Sequence, residues 1–300
     1  MKISFKSVFI LLLQIIGLTV ALYICHGIGS SLIGNNMDIP PIPIDMQSKV
    51  ALAWLGICFL NSLALVYPIS RSTWHGWKLM LAVAGIYFGI SSLLSQIESL
   101  VFLKYLVHKM TVPTIKILLF QSALSTCLFA PLAVLIMGKI RKSNFAQVGR
   151  KLNMPWQEWF WKLGVIGVCY YIIYFSFGFL VAWQSPAVRE YYAGMSAPLW
   201  LIPLLQMGRS LIWAGLAVIV IKMMKGAWWE SGLAVALLYS ILMSSVLLLP
   251  YNPIMPPAVA AVHFRETLSS NFIFGWLVVW VLNMGQKIPS AGSLAETNAN

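Results

Sequence analysis

"LWLIPLLQMGRSLIWAGLAV", residues 199–218, is an almost unbroken apolar run that holds one arginine, Arg209. The run extends from Pro198 to Ile221, 24 residues. A helix of that length, rising about 1.5 Å per residue, crosses the ~30 Å hydrocarbon layer of a bilayer. Backbone amides cannot stay unpaired in hydrocarbon, so such a run must be helical. Arg209 is its twelfth residue, about 16 Å from either end at helical rise. A guanidinium does not lose its proton there, and its head cannot reach water by snorkelling. The run decides the fold class, and Arg209 raises the functional question.

Seven further runs resemble it: Val8–Cys25, Val50–Tyr67, Trp77–Leu94, Ile115–Ile136, Leu163–Trp183, Leu233–Leu249 and Leu268–Asn283. Apolar residues make up 60% of the chain and charged residues 9%, with a mean hydropathy of +0.83, a balance no soluble domain shows. The expectation is an all-α, polytopic integral membrane protein of about eight transmembrane helices. The shorter alternating pattern of a β-barrel is absent. Lys2 and Lys6 precede a first run too long for a signal-peptide core, with no small-x-small site after it, so this helix reads as retained.

Lysine and arginine then set the orientation. With the N-terminus inside, Lys2, Lys6, Arg71, Lys78, Lys139, Arg141, Lys142, Arg150, Lys151, Lys162, Lys222, Lys225 and Lys287 are cytoplasmic, thirteen in all. Lys49, Lys104, Lys109, Lys116, Arg189 and Arg265, six, fall outside. Both termini are therefore expected in the cytoplasm. The net charge of +12 reads as this orientation signal and as contact with anionic lipid, with membrane lipids as partners and no nucleic acid. Short loops and compact size suggest a bacterial inner membrane. Cys25, Cys58, Cys127 and Cys169 lie in apolar runs without CxxC spacing, which argues against disulfides or a zinc ribbon. No cofactor motif is present.

Residues 1–285 read as one transmembrane helical domain and 286–300 as a flexible cytoplasmic tail. Residues 26–49, "HGIGSSLIGNNMDIPPIPIDMQSK", and 249–257, "LPYNPIMPP", read as irregular extracytoplasmic loops. Residues 138–164 carry six basic residues and one acid, and lead into Trp156, Trp159 and Trp161, an interfacial anchor. Gly85 and Gly89 form a GxxxG. Gly164, Gly167, Tyr171, Tyr174 and Gly178 recur at helical spacing and predict a helix–helix seam or a tyrosine-lined wall.

Acidic partners for Arg209 are few. Asp38, Asp45, Glu98, Glu190 and Glu266 fall outside, whereas Glu158, Glu230 and Glu296 fall inside. Glu98 follows Ser91 and Ser95 on the third helix. In "VHFRETLSSN", residues 262–271, His263, Glu266 and Ser270 share one face of a last helix that starts at Pro256–Pro257, with Asn271 at its edge. Glu98, Arg209, His263, Glu266 and Asn271 therefore form a candidate polar pocket toward the extracytoplasmic leaflet, with Arg189 and Glu190 at its mouth.

Three functions fit these residues. The first is binding or transport of an anionic solute or a lipid headgroup, since a guanidinium recognises phosphate and carboxylate oxygens. The second is an intramembrane hydrolase, metal-dependent if His263 and Glu266 ligate an ion, with Glu98 as general base and Asn271 or Arg209 stabilising an oxyanion. The chain lacks the Glu-Glu-x-x-x-Arg pattern of CAAX-type membrane proteases, so nothing is carried over from that family. The third is a scaffold whose ion pairs only fix helix register.

Overall fold

A computed structural model describes residues 5–33, 41–102, 111–141, 152–194, 198 and 200–286. These residues form α1 (Phe5–Ile33), α2 (Ile44–Ser70), α3 (Gly76–Phe88), α4 (Leu94–Phe102), α5 (Val112–Ile136), α6 (Trp156–Phe177), α7 (Pro186–Tyr191), α8 (Leu201–Met223), α9 (Trp228–Ser244) and α10 (Pro257–Asn283). A π turn, Gly89–Leu93, joins α3 to α4, and a second one, Gly178–Ala182, prolongs α6. No strand occurs among the described residues. The tail 287–300 and the charges Lys2, Asp38, Lys104, His108, Lys109, Lys142, Arg150, Lys151, Lys287 and Glu296 lie outside them.

Seven of these helical segments are long and apolar enough to cross a membrane. They match seven of the eight expected runs. The eighth run lies in α10, whose 27 residues are as long as α2 but diluted in the first half by Arg265, Glu266, Thr267, Ser269, Ser270 and Asn271.

Among the described residues of the loop expected over 26–49, most are helical. α1 continues through His26 to Ile33, and α2 already begins at Ile44. Tertiary contact overrides the low helix propensity of Gly29 here. Gly29 faces Ser125 and the Gln121 carbonyl of α5, where a side chain would clash, and Gln121 Nε2 donates to Ser30 Oγ at 2.6 Å. By contrast, residues 249–256 are non-helical as expected, and Pro257 opens α10 at a position where a missing N–H costs nothing.

At one end of the bundle three connections interlock. Thr73 N donates to the Met223 carbonyl and Lys225 N to the Arg71 carbonyl. The Lys139 ammonium reaches the Ser72 carbonyl at 3.0 Å, and Arg71 pairs with Glu230. Burial, and then the neighbouring Lys225 charge, push the Lys139 ammonium below the usual lysine range. Lys162, in the first turns of α6, is fully buried. Its ammonium pairs with Glu158 and donates to the Leu282 and Met284 carbonyls at 3.2 and 2.6 Å, capping the C-terminus of α10. A charge read as topological is thus also a helix cap.

The core centres on Trp213, Tyr239, Phe274 and Tyr170, whose rings bring α6, α8, α9 and α10 together. α9 and α10 approach most closely at Gly275. A Cβ there would stand 2.8 Å from Ala236 Cα and 2.9 Å from Ala236 N. Backbone cannot give way as a flexible side chain would, so the helices must part. The GxxxG is used by half: Gly89 packs under Leu216, while Gly85 meets nothing within 4 Å.

Gly275→Ala is therefore expected to lose about 1–3 kcal/mol of stability. Gly85→Ala should be neutral or slightly stabilising. Thermal unfolding of both variants in detergent checks this, and equal melting of Gly275→Ala and wild type would contradict the close-packing argument.

Candidate functional site

Arg209 lies two turns into α8 and only 2% exposed. Its partner is Glu98 of α4: Nη1 stands 2.6 Å from Glu98 Oε2 and also donates to Gln206 Oε1 at 2.8 Å. Glu98 is held further by the Tyr174 hydroxyl of α6, which donates to Oε1 at 3.0 Å, and by Gln206 Nε2 at 3.4 Å. One carboxylate thus ties three helices. The Nε–H of Arg209 has no hydrogen-bond partner among the described residues.

The π turn at Gly89–Leu93 lies one turn before Glu98. A π turn inserts one extra residue into the helical register, so the residues after it are re-aimed relative to α3. Ser91, Ser95 and Ser99 donate to carbonyls of their own helix, and Ser95 and Ser99 line the same cavity as Glu98. The second π turn, Gly178–Ala182, ends the segment that carries Tyr174.

A second network occupies α10. His263 Nδ1 stands 2.7 Å from Glu266 Oε2, and its Nε2 stands 3.1 Å from the hydroxyl of Tyr192, at the end of α7. Carboxylate, imidazole and phenol form one hydrogen-bonded chain. Burial, and then Tyr191, Glu98 and Glu266, hold the Tyr192 phenol well above its usual range, so it stays protonated at neutral pH. Both ring nitrogens of His263 are engaged. Among the described residues no group of three or more His, Cys, Asp or Glu is placed to hold a metal ion.

The two networks line one cavity of about 580 Å³. Glu98, Arg209, His263, Glu266 and Asn271 all lie on its wall, together with Ser270. Arg189 and Glu190 do not. α7 starts at Pro186, and its helical phase turns Val188, Tyr191 and Tyr192 inward while Arg189 and Glu190 stay exposed. Arg189 donates instead to the Trp183 carbonyl at 2.8 Å, closing its own loop. The expected charged mouth is replaced by aromatic residues: Phe175, Phe179 and Trp183 line the cavity and are also exposed.

The expected tyrosine seam on α6 is rotated. Ile166, Gly167 and Tyr170 are buried, Gly167 lies against Ser210, and Tyr174 faces the cavity, whereas Gly164 is exposed and Tyr171 stacks on Phe175 of its own helix. Tyr192 escaped sequence reading because its role depends on a short helix that carries no periodic signal.

The seven long apolar helices fit a multi-pass integral membrane protein. No family model, curated protein or solved structure matches the chain.

The two halves of the ion pair should respond unequally. Glu98→Leu strands the buried guanidinium and is expected to cost about 3–5 kcal/mol. Arg209→Leu leaves a carboxylate that is 28% exposed and still has Tyr174 and Gln206 as donors, so it should cost less. The double Leu variant is expected to recover most of the Glu98→Leu loss. A double-variant cycle of unfolding in detergent measures this, and purely additive losses would refute the pairing energy.

Proposed function

We propose that the chain crosses the membrane eight times, with α10 as the eighth span and both termini cytoplasmic, and that its cavity opens to the outer leaflet of a bacterial inner membrane and binds a lipid headgroup. α10 packs closely against α9 and is long enough to cross beside it. The thirteen-to-six basic asymmetry supports the orientation.

The observation that carries the binding reading is that the Arg209–Glu98 pair forms a wall of the cavity. A pair that only fixed helix register would be covered by packed side chains. A volume near 580 Å³ matches the size of small-ligand sites. The opening is rimmed by exposed Phe175, Phe179 and Trp183, the residue types favoured at the boundary of lipid and water. An amphiphile can leave its chains among such residues while its head enters.

Charge favours the headgroup over a free anionic solute. Arg209 is already neutralised by Glu98, and Glu266 adds a second carboxylate to the wall. A net anion would meet at best an electroneutral site, whereas a headgroup without net negative charge adds no repulsion.

The test uses the protein purified in detergent, with co-retained lipids counted by native mass spectrometry. Glu98→Gln with Arg209→Gln replaces the pair by neutral polar groups, and is expected to lower lipid retention about tenfold, the loss of one charge-assisted contact. Undiminished retention in the folded double variant would sink the proposal, and a scaffold role would then stand.

A further inference from the structure

Glu266 holds a lone acceptor that its surroundings leave unused. Its Oε2 engages His263, while Oε1 accepts no hydrogen bond among the described residues. An added Cβ at Gly178 would stand 3.8 Å from that oxygen, so the glycine keeps the space beside it open. Thr267, Ser270 and Asn271 line the same stretch of wall and offer further oxygen acceptors. Arg209 lines the same cavity; its Nη1 is engaged by Glu98 and Gln206, and its Nε–H, shielded from the cavity, has no acceptor among the described residues. The cavity wall therefore carries both an acceptor cluster around a part-buried carboxylate and a guanidinium.

The charged and titratable groups facing His263 and Glu266 are Tyr191 and Tyr192 from α7 and its end, Tyr170 and Tyr174 from α6, Glu98 from α4 and Arg209 from α8; the α9 stretch contributes Met243, Val246 and Leu247. Two carboxylates thus stand against one permanent cation. A ligand that brings a cationic donor to Glu266 and an oxyanion toward Arg209 leaves the total charge unchanged while satisfying both ends. Resting on the headgroup reading above, we infer that the cavity selects a head carrying a primary ammonium a few bonds from an oxyanion, the chemistry shared by an aminophospholipid and its soluble glycerophosphoethanolamine headgroup.

A primary ammonium has three N–H donors for Glu266 Oε1 and the neighbouring hydroxyl and amide oxygens. A trimethylammonium has none. Phosphatidylcholine is therefore disfavoured by its lack of donors, and phosphatidylglycerol by its net charge.

The experiment measures retention of phosphatidylethanolamine, phosphatidylcholine and phosphatidylglycerol on the detergent-purified protein by native mass spectrometry, with soluble glycerophosphoethanolamine as competitor. Phosphatidylethanolamine is expected to exceed the other two by about tenfold, the worth of a charge-assisted hydrogen bond. Glu266→Gln should remove this preference while keeping the residual binding common to all three lipids. Gly178→Val sets its side chain against Glu266 Oε1, crowding the ammonium seat while both carboxylates stay in place, and should do the same even where Glu266→Gln folds poorly. Displacement by the soluble competitor assigns recognition to the head alone, and its failure assigns it to the lipid, with the head chemistry unchanged in either case. Equal retention of the three lipids by wild type overturns the inference and leaves headgroup binding standing. Retention of none overturns both.

Discussion

A guanidinium that cannot give up its proton, held where water is scarce, is the constraint on which the rest depends. Arg209 requires a counter-charge within reach, and only another helix can supply it. Glu98 does so at 2.6 Å, which fixes α4 against α8; its second oxygen takes the Tyr174 hydroxyl, which fixes α6 as well. Three helices are thereby held at a common depth by one carboxylate. Because Glu98 must be presented from α4, the π turn at Gly89–Leu93 becomes intelligible: one extra residue re-aims the end of the helix without ending it.

The cavity follows from the same constraint. Beneath it, Tyr170, Trp213, Phe274 and Tyr239 form a close-packed aromatic floor, and α9 and α10 meet backbone to backbone at Gly275. Above that floor, polar side chains of α4, α6, α8 and α10 line the cavity. The Tyr192–His263–Glu266 chain does on the α10 side what Glu98 does on the α4 side. It satisfies buried polar groups while leaving one oxygen facing the gap.

Much of this was legible in the sequence, and the failures are informative. Arg209 demanded a partner from arithmetic alone: run length, helical rise and a proton that stays. The choice of Glu98 over Glu266 was not readable, because helical phase counted from Trp77 does not allow for the extra residue in the π turn. His263 and Glu266 share a face by simple i, i+3 spacing on a regular helix, and there the count was sufficient. Arg189 and Glu190 looked like a charged mouth because nothing in "SPAVREYY" discloses a six-residue helix whose inward face is Val188, Tyr191 and Tyr192. Gly27 and Gly29 suggested a loop, although Gly29 marks where α5 comes close. Lys162 was counted for its charge, yet its place is set by the carbonyls that end α10.

The charge ledger of the cavity bears on which of the three functional readings is the strongest. Reading Arg209 alone suggests an anion site, because a lone buried guanidinium attracts phosphate or carboxylate. Once Glu98 occupies it, that attraction is largely spent, and the remaining uncompensated group is Glu266, only 14% exposed and balanced by an imidazole alone. A scaffold would gain nothing from leaving such a carboxylate on an open wall, since burying it costs stability that packing does not return. Catalysis through a metal would need His263 to release Tyr192 or Glu266 first, as both ring nitrogens are occupied. A binding site tolerates this arrangement best, because the unused oxygen of Glu266 is a cost to the empty protein that a ligand bringing a donor removes.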